Sequence, residues 1–91
     1  VTGRQPADAD VTGEEILAEL TGFFATATAG NTPGPDEDYF ALGLVNSLLA
    51  LKLVTHIERR FGIEVAVADL DLDNFRTMNR VTEFVLRKRT A

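Results

Sequence analysis

Asn46-Ser47-Leu48-Leu49-Ala50-Leu51-Lys52-Leu53-Val54-Thr55-His56-Ile57-Glu58-Arg59-Arg60-Phe61-Gly62 opens on two residues with short polar side chains and closes on a glycine, with no helix breaker between. Asn and Ser accept hydrogen bonds from the unpaired amides of a first helical turn, and Gly suits the left-handed position just past a helix end. A helix over 48–61 is therefore predicted. Ala50, Leu53, Val54, Ile57 and Phe61 recur at helical spacing and form its core stripe. Leu48, Leu49 and Leu51 make the first turn apolar nearly all round, more than one core face uses, so some of them are expected to face solvent or a partner.

Upstream, Gly30-Asn31-Thr32-Pro33-Gly34-Pro35 admits neither helix nor central strand, because its prolines lack an amide hydrogen. The long loop continues through Asp36, Glu37 and Asp38, with Tyr39, Phe40, Leu42 and Leu44 expected to pin it to the core. Farther back, Thr12 and Glu15 have capping-box spacing, and Ile16, Leu17, Leu20, Phe23, Phe24 and Ala27 follow as an amphipathic helix to about Thr28, with both phenylalanines turned inward. Downstream, Ile63, Val65 and Val67 alternate like a strand that has no partner to pair with, which reads as an extended connection. A short helical turn is expected within 69–75. Thr77 then caps a last helix that buries Met78, Val81, Phe84 and Val85 and ends in Arg87, Lys88 and Arg89. The fold class is all-α, a four-helix bundle with a short third helix and a long first loop.

The chain has 91 residues, 45% hydrophobic and 25% charged, the usage of one globular domain. Residues 11–89 make up that domain, and residues 1–10 read as a disordered segment or cloning remnant. With no cysteine and one histidine, a thiolate site or histidine ligand cluster is ruled out, and no metal is expected. No apolar run approaches the roughly 20 residues of a membrane span, so a cytoplasmic protein without one is expected. The net charge is −5. Residues 1–46 carry one basic side chain against eight acidic ones, and residues 47–91 carry eight basic and six acidic. Such a balance repels a phosphate backbone, so no nucleic-acid partner is expected.

Ser47 is the only serine in the chain. By position alone, either Ser47 or Asn46 caps the helix, or the hydroxyl is a modification site whose added phosphoryl charge would be favoured by the helix start. Phe40-Ala41-Leu42-Gly43-Leu44-Val45-Asn46-Ser47-Leu48 resembles the attachment motif of the acyl and peptidyl carrier proteins, and the likeness extends from about Ile16 to Leu86. The resemblance implies a bundle of acyl-carrier type in which Ser47 bears a covalent 4′-phosphopantetheine drawn from coenzyme A, with Asn46 as motif neighbour in place of the common Asp. Two residues rather than one separate Gly43 from Asn46. That spacing, with Asp-Leu-Asp-Asn-Phe-Arg-Thr before the last helix, is similar to D-alanyl carriers and to discrete carriers of methoxymalonyl-type extender units in polyketide biosynthesis.

The same resemblance implies a carrier with no catalytic residues of its own. Its partners are then a phosphopantetheinyl transferase and acyl-loading and acyl-modifying enzymes, an acyltransferase or synthase among them, and the carrier is expected to be a monomer. It also implies docking on the second helix, for which Leu48, Leu49, Leu51, Lys52 and Arg59 are the candidates, facing an acidic patch. Leu48, Leu51, Ile63 and Val65 are expected to shelter a short cargo. The cargo alternatives are an acyl extender unit and a peptidyl or D-alanyl group loaded by an adenylating enzyme. The polar ends favour a discrete carrier over a domain excised from a larger synthase. The rival of another class is an unmodified helical interaction module in which Ser47 only caps.

Weaker constellations carry less. Asp69, Asp71 and Asp73 begin like a calcium loop, but Asn74 and Arg80 stand where Gly and a bidentate Glu are needed. His56 lies nine residues past Ser47, about 13–14 Å along a helix, too far to serve as its base, and is expected to be solvated. Asp36, Glu37 and Asp38 are expected to be solvated as well.

Overall fold

A computed structural model describes residues 12–90. The expectations placed on residues 1–10 lie outside the described residues. Helix α1 is Gly13–Ala27, α2 is Ser47–Phe61, α3 is the single turn Leu72–Phe75 and α4 is Met78–Thr90, with a 3-10 turn at Val67–Asp69. All four expected helices are present.

Each helix begins where a side chain serves its orphan amides. Thr12 Oγ1 accepts from the Glu15 amide at 3.1 Å and Glu15 Oε1 accepts from the Thr12 amide at 3.0 Å, the reciprocal pair that the Thr-x-x-Glu spacing predicted. Asn46 Oδ1 accepts from Leu49 N at 2.9 Å, Asp71 Oδ1 from Asp73 N at 2.9 Å and Thr77 Oγ1 from Arg80 N at 3.0 Å. α2 ends at Gly62, whose φ of 65° turns the chain out of the helix. The last carbonyls of α2 gain a further partner, since Arg89 Nη1 donates to Phe61 O at 2.6 Å.

The core is built from Ile16, Leu20 and Phe24 of α1, Leu53, Ile57 and Phe61 of α2, Phe75 of α3, and Met78, Val81, Phe84 and Val85 of α4. α1 packs along α4, and α3 and α2 lean on α4 as well. The whole predicted buried face of α4 is in place. On α1, Phe24 is buried but Phe23 is only half-buried and Ala27 is exposed, because neighbouring positions on a helix point about 100° apart and one stripe cannot bury both rings.

The long loop is stitched to the start of α4. Asn79 N donates to Pro35 O at 2.9 Å, Asn79 Nδ2 to Asp36 Oδ1 at 2.7 Å, and Tyr39 N to Arg76 O at 3.2 Å. The expected solvated carboxylates instead shape the loop. Glu37 Oε1 accepts from Gly34 N at 2.6 Å, and Asp38 Oδ1 accepts from Phe40 N at 3.0 Å and Ala41 N at 3.1 Å. Of the expected anchors, Tyr39 is fully buried against Phe24, with ring centroids 4.7 Å apart, and Phe40 and Leu44 are half-buried. Leu42 is not an anchor. The turn that Asp38 nucleates and the φ of 76° at Gly43 swing Leu42 outward to 53% exposure and turn Val45 into the core in its place.

The Tyr39 hydroxyl is buried without a hydrogen-bond partner among the described residues, and burial, with the Asp38 carboxylate second, pushes its acidity well above the usual phenol range. A buried donor left unpaired costs stability that a same-shaped apolar ring does not. Tyr39→Phe is therefore expected to raise unfolding stability by about 1 kcal/mol in a denaturant titration. A loss of that size would mean the hydroxyl has a partner.

Past Gly62, residues 63–66 form neither helix nor strand, Ala66 having extended backbone, and the chain then tightens into the 3-10 turn, which leaves Val67 87% exposed. Asp69 holds this segment: Lys88 Nζ donates to its Oδ2 at 2.8 Å and Ala66 N donates to the same oxygen at 3.0 Å. The Lys88 bond first, then the Ala66 amide, keeps the Asp69 carboxyl below the ordinary carboxylate range. A depressed folded pKa gives stability that is present above the unfolded value, about 4, and is lost as pH falls through the folded value. Asp69→Asn should thus lower stability at neutral pH and flatten its fall below about pH 4. Chemical denaturation repeated across that range checks this, with the effect smaller at high salt.

Candidate functional site around Ser47

Ser47 is the first residue of α2 and is exposed. Asn46 is the cap, through Oδ1 to Leu49 N and through its carbonyl, which accepts from Ala50 N at 2.9 Å. Among the described residues the Ser47 hydroxyl has no hydrogen-bond partner. The capping reading therefore belongs to Asn46, and the serine beside it stays available at the positive end of the helix, where a negative group is favoured.

An apolar groove of about 380 Å³ begins at Ser47 and runs between α2 and residues 70–75. Leu51 and Val54 form one wall, Leu70, Leu72 and Phe75 the other, and Phe40 of the long loop one side. Asp71 is its one charged lining residue. The volume is in the range of small-molecule sites, about 300–1,000 Å³. Of the four residues expected to shelter a cargo, only Leu51 and not Leu48, Ile63 or Val65 lines this groove. Ile63 and Val65 are half-buried against the core. Leu48 faces a separate, more polar depression of about 300 Å³ with Gly43, Leu44 and Lys52.

The docking candidates divide in the same way. Leu48 and Leu51 are exposed at 63% and 61%, Leu49 packs partly on the core, and Lys52 and Arg59 are exposed. His56 is not simply solvated: its Nε2 is 3.0 Å from Glu19 Oε2 and its ring stacks on Phe23 with centroids 4.9 Å apart. Arg60 reaches the same Glu19 at 3.2 Å. This link between α1 and α2 has no signature in the sequence, because helical periodicity gives the faces of two helices but not how they cross. The acidic run resembling a calcium loop is committed to the fold, Asp69 on Lys88, Asp71 as the α3 cap and Asp73 on Arg76 at 2.7 Å.

A family model described as the phosphopantetheine attachment site matches residues 14–85. The chain belongs to this family. It is similar to the D-alanyl carrier proteins of Streptococcus sanguinis strain SK36 and Streptococcus gordonii strain Challis, at 36% identity over 56 residues in each case, covering 62% of this chain and 71% of the relative. The D-alanyl carrier protein of Streptococcus mutans serotype c is 32% identical over the same length. As a phosphopantetheine-attachment domain the chain carries a 4′-phosphopantetheine group and has no catalysis of its own. The site fits such a group, with a free hydroxyl, a helix start that favours the phosphodiester charge and an apolar groove beside them. Carriers of this kind meet a phosphopantetheinyl transferase and biosynthetic enzymes. Among the described residues no helix is long and apolar enough to cross a membrane.

Proposed function

We propose that Ser47 is the attachment residue and that the chain presents a short thioester-bound group to partner enzymes. The observation that carries this is the exposed Ser47 hydroxyl, left free because Asn46 performs the capping. In the attachment step the Ser47 oxygen attacks the pantetheine-bearing phosphorus of coenzyme A. A phosphodiester forms, adenosine 3′,5′-bisphosphate leaves and the hydroxyl proton passes to the transferase. The arm supplies a terminal thiol that holds the cargo as a thioester. The protein's own residues then do three things: the start of α2 favours the phosphodiester charge, the groove along Leu51, Val54, Leu70 and Leu72 receives apolar atoms, and exposed Leu48 and Leu51 offer partners a contact beside the arm.

Two cargo classes fit this reading. The spacing around Asn46 and the residues before α4 are similar to discrete extender-unit carriers of polyketide biosynthesis and to D-alanyl carriers alike. The D-alanyl carrier relatives support an aminoacyl group loaded by an adenylating enzyme. In either case we place the chain in the cytoplasm as a monomeric shuttle. Its tethered cargo is a substrate at high effective concentration for each enzyme in turn. The test is intact-protein mass before and after incubation with coenzyme A, magnesium and a broad-specificity phosphopantetheinyl transferase. A single cofactor-sized gain is expected. No gain with two transferases in a folded sample would return Ser47 to the interaction-module reading.

A further inference from the structure

The seam between α1 and α2, next to the groove and sharing Leu51 with it, holds a depression of about 600 Å³. Phe23 of α1 and Leu51 of α2 supply its apolar surface, and Lys52, His56, Arg59 and Arg60 surround it. Four cation-forming side chains thus gather on a chain whose net charge is −5. Glu19 answers two of them, pairing with His56 at 3.0 Å and Arg60 at 3.2 Å. Glu58, the one carboxylate of α2, is turned away to accept from Val65 N at 2.9 Å.

Lys52 and Arg59 remain. Both are exposed, and among the described residues neither forms an ion pair. Seven residues is about two helical turns, so the two cations share one face of α2 roughly 10.5 Å apart, with the depression between them. Half-buried Phe23, stacked on His56, and the methyl-bearing Thr55 lie between the two cations, and Leu51, 61% exposed, borders Lys52, so apolar surface adjoins both charges. A carboxylate, an apolar side chain and a second carboxylate two turns on would meet this pattern.

We propose that the α1–α2 seam docks an acidic amphipathic helix of a partner protein, with Lys52 and Arg59 pairing two of its carboxylates across an apolar side chain seated against Phe23 and Leu51. The proposal deepens the carrier reading, since Lys52 follows Ser47 by little more than one turn and a partner held here lies beside the arm. The charge pattern also works by repulsion. A partner presenting basic side chains to this face meets Lys52 and Arg59, so the seam selects by sign as well as by fit.

The experiment uses the full chain, nitrogen-15 labelled and modified at Ser47, titrated with a synthetic helix-forming peptide that carries Glu at positions i and i+7 and Leu at i+3 and i+4. Amide shifts are expected to cluster at Phe23, Leu51, Lys52, Thr55, Arg59 and Arg60. Affinity should fall about tenfold in Lys52→Glu/Arg59→Glu and weaken as salt rises. Both positions are exposed, and circular dichroism checks that the variant is folded. An equal response to a scrambled peptide of the same composition, an equal response to a Lys-for-Glu peptide, or an unchanged affinity in the double variant would overturn the proposal. So would self-association of the peptide-free protein through this face in sedimentation. If Ser47 is never modified, the same titration is run on the unmodified chain. A missing mass gain therefore counts against the carrier reading alone, and a diffuse titration against the seam alone.

Discussion

Ser47→Ala should abolish the mass gain completely while leaving the fold intact. The two halves of that expectation rest on different observations. Loss is expected to be complete because Ser47, the attachment residue proposed above, is the only serine in the chain. The fold is retained because Ser47 is exposed, makes no side-chain hydrogen bond among the described residues and occupies a first-turn position where Ala is well tolerated. Asn46→Ala reverses the pattern. It removes the acceptor for Leu49 N, costs about 1 kcal/mol of stability and leaves the hydroxyl in place. Thermal unfolding and intact mass on the two variants separate a cap from an attachment residue. If Ser47→Ala proved the destabilising change, the assignment of roles at this helix start would be wrong.

Phe24→Ala should bring the domain to the edge of unfolding. Phe24 is fully buried, with its ring 4.7 Å from Tyr39 and 5.5 Å from Phe23, so its removal empties the space where α1 meets the long loop. Truncating a buried phenylalanine costs about 3–5 kcal/mol, and a domain of this size holds only about 5–10 kcal/mol in all. Phe23→Ala, one position away and half-buried, should cost about 1 kcal/mol, mostly the lost stack on His56. Urea titrations of the pair measure the difference directly. Equal losses would mean that both rings share one buried face, as the sequence pattern alone had suggested.

The helices were legible because each of their signals is local. A cap, a period and a stop lie within a few residues of one another, as in the stretch from Asn46 to Gly62 or the pairing of Thr12 with Glu15. Irregular backbone carries no period, and this is where the reading failed. Nothing in the order Phe40, Ala41, Leu42, Gly43, Leu44, Val45 says that Leu42 turns out and Val45 turns in. That follows from the Asp38 turn and the positive φ at Gly43. The site divided along the same line. The motif around Ser47, the proposed attachment residue, sits in consecutive residues and so was open to reading. The groove wall comes from Leu70 and Leu72, which long-range packing sets opposite α2, whereas Ile63 and Val65 pack on the core. The tie of Glu19 to His56 and Arg60 was hidden for the same reason.

α1 buries its apolar face largely against α4, and the long loop is sewn to Asn79 and Arg76 near the other end of the chain. During synthesis, then, Ile16, Leu20, Phe24 and Tyr39 emerge early and complete their packing only when α4 is available. The Ser47 hydroxyl, the loop beside it and both groove walls are held by a scaffold that α4 completes. An enzyme that recognises that end of the molecule is therefore expected to load the folded domain in preference to the unfolded chain, and loading at Ser47, the attachment residue proposed above, would double as a mark of folding.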